Sequence, residues 1–135
     1  PFDYSGLPNE WRLVIAQNTA IRNQTLRPWV AIGALSDGNG IIVDNFYNTQ
    51  GNSTEGAYSG RTLVQGNLLT LNGGSGAHTF TSRRVTFANN TSYHNSQVLN
   101  YGELWSNQSD DVVFTNNILV SAPTTSGTPR QLNPV

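Results

Sequence analysis

The sequence predicts an all-β fold: a single-stranded solenoid of parallel strands, or parallel β-helix, with about four coils of 22–27 residues. The first observation is a six-residue pattern with alternating apolar positions that recurs four times and ends in Asn18, Asn67, Asn90 and Asn117. The second is the spacing of these residues, 49, 23 and 27, because solenoid coils have periods in this range. The third is a near-neutral, strand-rich composition with 11% charged residues, unlike a disordered chain of high net charge. A β-sandwich or another all-β fold is the alternative.

The first strand of each coil is predicted from period-2 alternation, which places alternate side chains on opposite faces. One face carries apolar side chains and Thr, and it is expected to line the interior. The two inward rows are Leu13, Thr62, Val85 and Val112, and Ile15, Val64, Phe87 and Phe114.

A second short strand follows each recurring Asn, and a third follows a Gly. Asn23, Asn72 and Asn95 close three of the second strands, and Ser82 and Ser109 follow the third strands at equivalent turns. The second strands are predicted at 19–22, 68–71, 91–94 and 118–121, and the third strands at 40–44, 76–80 and 103–107.

The recurring Asn has a physical reason in the turn that it occupies. Asn tolerates left-handed backbone geometry. Its amide also carries both a donor and an acceptor, so that copies one coil apart can form a hydrogen-bonded ladder. We therefore expect the Asn residues to set the register of the coils.

Two segments resemble a known family. NGGSGAHTFTS at 72–82, followed by VTFANNTSYHN at 85–95, resembles the right-handed parallel β-helix repeat of the pectate-lyase-like superfamily, and DGNGIIVD at 37–44 is similar to its strand entries. The resemblance covers roughly residues 11–121 and implies the right-handed sense. The superfamily holds polysaccharide lyases, glycoside hydrolases, epimerases, esterases and non-catalytic phage and adhesin modules. Its lyases often use a Lys or Arg as the base beside Ca²⁺, and this chain has no Lys.

The coils are predicted at approximately 11–60, 61–82, 83–109 and 110–121, within a single domain of 1–135 that ends in a tail at 122–135. Four coils are few for a member of this superfamily, and the sequence shows no amphipathic capping helix. Because solenoid ends expose unpaired strand edges, we expect either an excerpt of a longer chain or ends that pack against further coils or another copy.

Chemistry is expected next to the one coil with long insertions. These insertions, at 24–36 and 45–60, flank the strand at 40–44. Loops of this length are often functional, although drift at a surface turn would also produce them.

The outward positions of the third strands predict a binding strip. If the serine turns are equivalent, His78 stacks on Trp105 and Phe80 on Asn107. The strip would then show Asp44, His78, Glu103 and Trp105. A Trp ring can stack on a pyranose while polar groups bind its hydroxyls; ordinary surface decoration is the alternative.

Arginines form a second predicted column, at the start of the first strands. Arg12, Arg61, Arg84 and Asp111 occupy equivalent outward positions. Stacked arginines repel unless an anion lies across them. That anion is either a neighbouring carboxylate of the protein or the carboxylates of an acidic polysaccharide, which Arg can bind in a bidentate manner.

Several catalytic roles are compatible with these positions. Asp44 and Glu103, whose backbones would lie roughly 9–10 Å apart across two coils, would suit inverting hydrolysis. His78 or Arg84 could act as the base of a β-elimination. Asp37, Asn39 and Asp44 offer oxygen ligands to Ca²⁺, while the histidines and the absence of Cys do not suggest Zn²⁺.

Two functions follow as hypotheses. The first is an enzyme that cleaves an acidic polysaccharide as a lyase or hydrolase, with Trp105, Arg61, Arg12 and Phe80 binding substrate. The second is a non-catalytic glycan-binding, adhesin or structural module. Both imply a secreted or cell-surface protein with a polysaccharide partner. A net charge of −1 argues against a nucleic-acid partner, and no apolar run approaches the ~18 residues of a membrane span.

Overall fold

Every regular element in the described part of the chain is a β-strand. The computed structural model describes residues 11–51 and 54–121. No helix within these ranges is long and apolar enough to cross a membrane. The predicted tail at 122–135 lies outside the described residues. In chain order the strands are β1 Trp11–Ala16, β2 Thr19–Ile21, β3 Ile41–Asp44, β4 Arg61–Gln65, β5 Leu68–Thr70, β6 Ala77–Phe80, β7 Arg83–Ala88, β8 Thr91–Tyr93, β9 Leu104–Asn107, β10 Asp110–Thr115 and β11 Ile118–Val120.

The strands form three sheets. Each of the four coils contributes one strand to the first sheet and one to the second, and the first three coils contribute one strand each to the third. The first sheet has the order β1-β4-β7-β10, the second β2-β5-β8-β11 and the third β3-β6-β9. All pairings between these strands are parallel; an isolated bridge between Trp29 and Ala34, in the insertion before β3, is antiparallel. Neighbouring strands in a sheet therefore come from successive coils. The predicted β-solenoid is confirmed, whereas a β-sandwich would contain antiparallel pairs.

The two inward rows of the first sheet are confirmed by its register. Leu13 pairs with Thr62, which pairs with Val85, and the second row continues in the same way. The rows are fully buried in the two inner coils, whereas Leu13 in the first coil is 39% exposed. Phe87 and Phe114 stack with 5.1 Å between ring centroids. The core is thus a column of side chains that is best packed in the middle coils.

The predicted asparagine ladder runs through all four coils. Asn18 donates from Nδ2 to Asn67 Oδ1 at 3.0 Å. The same bond joins Asn67 to Asn90 at 2.9 Å and Asn90 to Asn117 at 3.0 Å. The left-handed backbone, however, lies one residue before each ladder position, for example at Gln17 with φ 58°. The amide ladder explains the Asn, and the preceding residue takes the turn conformation.

A second ladder closes the second strands, and it contains an unexpected member. Asn23, Asn72 and Asn95 are joined by bonds to side-chain amide oxygens. Beyond Asn95 the next acceptor is Glu103, whose Oε1 accepts from the Asn95 backbone N–H at 2.9 Å and whose Oε2 accepts from Asn95 Nδ2 at 2.6 Å. Ser92 Oγ donates to the same Oε2 at 2.8 Å. The carboxylate thus extends the ladder by one step.

The predicted equivalence of Ser82 and Ser109 is confirmed. The Ser82 backbone N–H donates to Ser109 Oγ at 3.0 Å, and the Phe46 N–H donates to Ser82 Oγ at 3.1 Å. These bonds stack the turns after β3, β6 and β9 on one another. They fix the register of the third sheet, whose outer face carries the candidate site.

Candidate functional site

The outer face of the third sheet brings aromatic and polar side chains into two rows. Ile42, His78 and Trp105 are aligned across the sheet, as are Asp44, Phe80 and Asn107. The His78 and Trp105 rings stack with centroids 4.8 Å apart and planes inclined by 27°. The predicted stack is confirmed. It forms because the two residues are paired in register on neighbouring strands and their side chains lie on the same face of the sheet.

A cleft of about 550 Å³ lies over this face, a volume within the usual range for ligand sites. The three strands form its floor. One wall of the cleft comes from the segment that precedes β3. The rest of the wall is formed by Gln50, from the insertion after β3, and by Tyr101, from the β8–β9 loop. The wall residues from the first insertion and the turn between it and β3 are Thr25, Arg27, Trp29, Ser36, Asp37 and Asn39.

His78 is almost completely covered although it lies on the outer face of its strand. It is 4% exposed. Its Nδ1 lies 2.7 Å from Ser75 Oγ, and its ring makes an edge contact with Tyr101. Burial lowers the pKa of His78 to about 4 from its usual 6.5, and nearby Asp37 acts in the opposite direction. The imidazole is therefore neutral at physiological pH.

Asp44 ties the insertion after β3 to the floor of the cleft. It is exposed, and its Oδ1 accepts a hydrogen bond from Gln50 Nε2 at 2.7 Å. The same Gln50 nitrogen lies 3.1 Å from Thr81 Oγ1. Asp44 therefore faces the cleft, as predicted, with one carboxylate oxygen already bonded.

The prediction that Glu103 faces outward beside these residues is wrong. It is 2% exposed, and both of its oxygens accept hydrogen bonds within the second ladder. Five residues after Asn117, where another ladder Asn would fall, the sequence has Ala122. The carboxylate of Glu103 fills the ladder instead, and the predicted pair of Asp44 and Glu103 is not formed in the cleft.

The arginine column lies on the first sheet, and none of its members lines the cleft. Arg61 pairs across two coils with Asp111 at 3.4 Å, and Arg84 donates from Nη1 to the Ser59 carbonyl at 2.6 Å. The prediction that Arg12 occupies a position equivalent to Arg61 is wrong, because Trp11 pairs with Arg61 and Arg12 falls in the register irregularity between Trp11 and Leu13. Of the two predicted anions for the arginines, Arg61 is therefore paired with a carboxylate of the protein. The roles of Arg84 in catalysis and of Arg12 and Arg61 in substrate binding stay predictions.

The donor set of the cleft does not make a Ca²⁺ site. Asp37 and Asp44 both line it, but Asp37 Oδ2 accepts from Ser36 Oγ at 2.8 Å and Asp44 is engaged by Gln50. Within 11–51 and 54–121 no three His, Cys, Asp or Glu side chains cluster as metal ligands would. Ca²⁺ usually needs 6–8 oxygen ligands, and we therefore assign no step to a metal.

Sequence reasoning missed several residues of the cleft. Arg27, Ser75 and Tyr101 were not predicted to contribute, and Asn39 was considered only as a Ca²⁺ ligand. Trp29 lies within the insertion at 24–36, which was predicted to be functional only as a whole. Trp29 and Arg27 could have been suggested by the length of their loop. Tyr101 carries no such signal, because only the folded β8–β9 loop brings it beside Trp105, with ring centroids 5.2 Å apart.

Comparison with known families adds one finding. A family model described as the right-handed beta helix region matches residues 12–124. No curated protein and no solved structure gives a significant match.

Proposed function

This chain belongs to the right-handed β-helix family, and on that premise we propose that the cleft over β3, β6 and β9 binds a glycan. The observation that carries the proposal is the stacked pair of His78 and Trp105 on the floor of the cleft. Flat rings bind the apolar face of a sugar, and polar side chains around them bind hydroxyls.

The rest of the cleft has the chemistry that such a ligand needs. Trp29 is 58% exposed on the wall, and Tyr101 lies beside Trp105. Asn107 supplies an amide group on the floor, and Gln50 adds its amide oxygen from the wall, since its Nε2 already donates to Asp44 and Thr81. Aromatic surface and neutral polar groups are therefore combined in one concave site, as in small-molecule sites generally.

The charges of the cleft favour a neutral or weakly acidic glycan. Among the described residues that line the cleft, Arg27 is the one Lys or Arg side chain, and Asp37 and Asp44 oppose it. A polyanion would meet two carboxylates for each guanidinium, which is unfavourable in a partly desolvated site. An acidic polysaccharide would therefore bind with a single carboxylate at Arg27 rather than along a basic track.

Cleavage of the glycan is a second candidate function, and the two carboxylates in the lining favour it. Asp37 and Asp44 could serve as the acid and base of a hydrolysis. For β-elimination, neutral His78 would be the base and Arg27 would neutralise the uronate carboxylate. Without cleavage the same site would serve a binding or adhesin module, and in either case we propose a secreted or cell-surface location.

The test is binding of neutral and uronate-containing oligosaccharides by calorimetry, with product analysis on the same samples. Trp105→Ala is expected to weaken binding by roughly tenfold or more, because a stacked aromatic contributes on the order of 1–3 kcal/mol when it is buried. Trp11→Ala is the matched control, since Trp11 lies on β1 outside the cleft lining. Equal loss in both variants, or no binding of any glycan, would remove the proposal; products would establish the second candidate.

A further inference from the structure

We propose that Asn39 and Ser75 are positioning residues that hold His78 in one tautomer, with the proton on Nδ1 and an unprotonated Nε2 available to a ligand in the cleft. The tautomer follows from hydrogen bonds within the protein. The inference rests on the proposed function only for the identity of the ligand group, a glycan hydroxyl that donates to Nε2.

The first step is the orientation of the Asn39 amide. The Ser75 backbone N–H lies 2.8 Å from the Asn39 side chain. A backbone N–H can only donate, so the atom that it meets must be the oxygen Oδ1 rather than the NH₂ group. Gly74 makes this approach possible, because a Cβ at this position would collide with Asn39 Oδ1.

The second step is the direction of the Ser75 hydroxyl. Its Oγ lies 3.1 Å from the same Asn39 Oδ1. An amide oxygen only accepts, and two oxygens at this distance repel each other unless a proton lies between them. The hydroxyl therefore donates to Asn39 and has lone pairs left for its other neighbour.

That neighbour is His78 Nδ1, which lies 2.7 Å from Ser75 Oγ. Because the hydroxyl proton is directed to Asn39, Nδ1–H donates and Ser75 Oγ accepts. A neutral imidazole carries one proton, so the partner of one nitrogen decides the state of the other. Nε2 is then unprotonated. No hydrogen bond from the described residues 11–51 and 54–121 reaches it, and it is not among their buried unpaired side-chain atoms.

The surroundings keep this acceptor neutral and fixed. The stack on Trp105 sets the plane of the ring, and burial lowers the pKa of His78 to about 4. The titratable and charged groups that line the cleft with it are Arg27, Asp37, Asp44 and Tyr101. Nε2 can therefore accept a hydrogen bond from a sugar hydroxyl from about pH 5 upward. A deoxy or O-methyl sugar at this position would bind at least roughly tenfold more weakly, because it would cover Nε2 without donating a hydrogen bond to it.

The decisive experiment is nitrogen-15 correlation spectroscopy of the histidine side chains in the intact protein at pH 7. The chain has two histidines, so His94→Gln assigns the signals. We expect Nδ1 of His78 to show a protonated nitrogen and Nε2 a bare one, with this tautomer favoured by roughly tenfold. A protonated Nε2 with a bare Nδ1 in the wild-type protein would overturn the inference without any variant.

Variants separate positioning from a structural role. Ser75→Ala and Asn39→Ala are expected to give a mixture of tautomers, because the first removes the acceptor and the second frees the hydroxyl to donate to Nδ1. Asn39→Asp keeps an acceptor-only atom and should retain the tautomer. Ser82→Ala, at an equally buried serine of the turn ladder, should leave the His78 signals unchanged. Unchanged tautomers in both Ala variants, with folded amide spectra, would contradict the assignment.

This readout also separates the inference from the proposed function. If the protein shows the predicted tautomer but binds no glycan, the glycan proposal and the assignment of a glycan hydroxyl to Nε2 are refuted, and the positioning roles of Asn39 and Ser75 stand. Glycan binding with the opposite tautomer would refute the positioning roles alone.

Discussion

The asparagine ladder predicts that one substitution has very different costs in different coils. Asn90 is 1% exposed and its side chain makes four ladder bonds. Its Oδ1 accepts from the backbone N–H and from Nδ2 of Asn67, and its Nδ2 donates to the Val64 carbonyl and to Asn117 Oδ1. Asn90→Ala leaves at least two of these buried polar groups without a hydrogen-bond partner, and each such group costs about 1–3 kcal/mol. We expect a loss of about 3–5 kcal/mol in the free energy of unfolding.

The matched control is Asn18→Ala at the first step of the ladder. Asn18 is exposed, and its Nδ2 donates to the Ala16 carbonyl and to Asn67 Oδ1. Water can replace both bonds, so the expected loss is about 0.5–1 kcal/mol. Urea denaturation followed by far-UV circular dichroism measures both variants. Equal losses, or a loss below about 1 kcal/mol for Asn90→Ala, would show that the ladder does not stabilise the coils as described.

Three further predictions concern charged and titratable groups. His78 is protonated near pH 6.5 in the unfolded chain but only near pH 4 in the folded protein. The free energy of unfolding is therefore expected to fall by about 3 kcal/mol between pH 6.5 and pH 4. Urea midpoints measured against pH should show this slope, and an identical slope in His78→Gln would contradict it. Glu103→Gln should cost about 1–3 kcal/mol, because an NH₂ group would face the donors that now bind Oε2; an unchanged melting temperature would refute this. The pair of Arg61 and Asp111 is partly exposed, so a double-mutant cycle should give less than about 1 kcal/mol of coupling, and a larger value would point to a stronger network.

The sequence predicts the coils well because their determinants are local and repeated. Alternation within each first strand and a ladder Asn at its end give β1, β4, β7 and β10 with their inward rows. The serine turns carry that register to the third sheet, and for this reason the stack of His78 on Trp105 could be predicted.

The rest of the site depends on contacts that no repeat encodes. Glu103 precedes a strand whose outward positions can be predicted from alternation, but its carboxylate faces inward, where it accepts two hydrogen bonds from Asn95. Asn39 and Tyr101 lie in loops, whose paths are set by tertiary hydrogen bonds such as that of the Gly74 N–H to the Gly38 carbonyl at 2.9 Å. Such contacts join residues far apart in sequence, so period and alternation do not predict them.

The central claim, that the cleft over β3, β6 and β9 is the glycan site, is tested most directly by mapping a bound oligosaccharide on the protein with amide chemical shifts. We predict that the shifted signals cluster at β3, β6 and β9 and at the wall residues 25–39, with the largest changes around His78 and Trp105. Shifts centred instead on Arg61 and the outer face of the first sheet, or no shifts with any glycan, would contradict the claim.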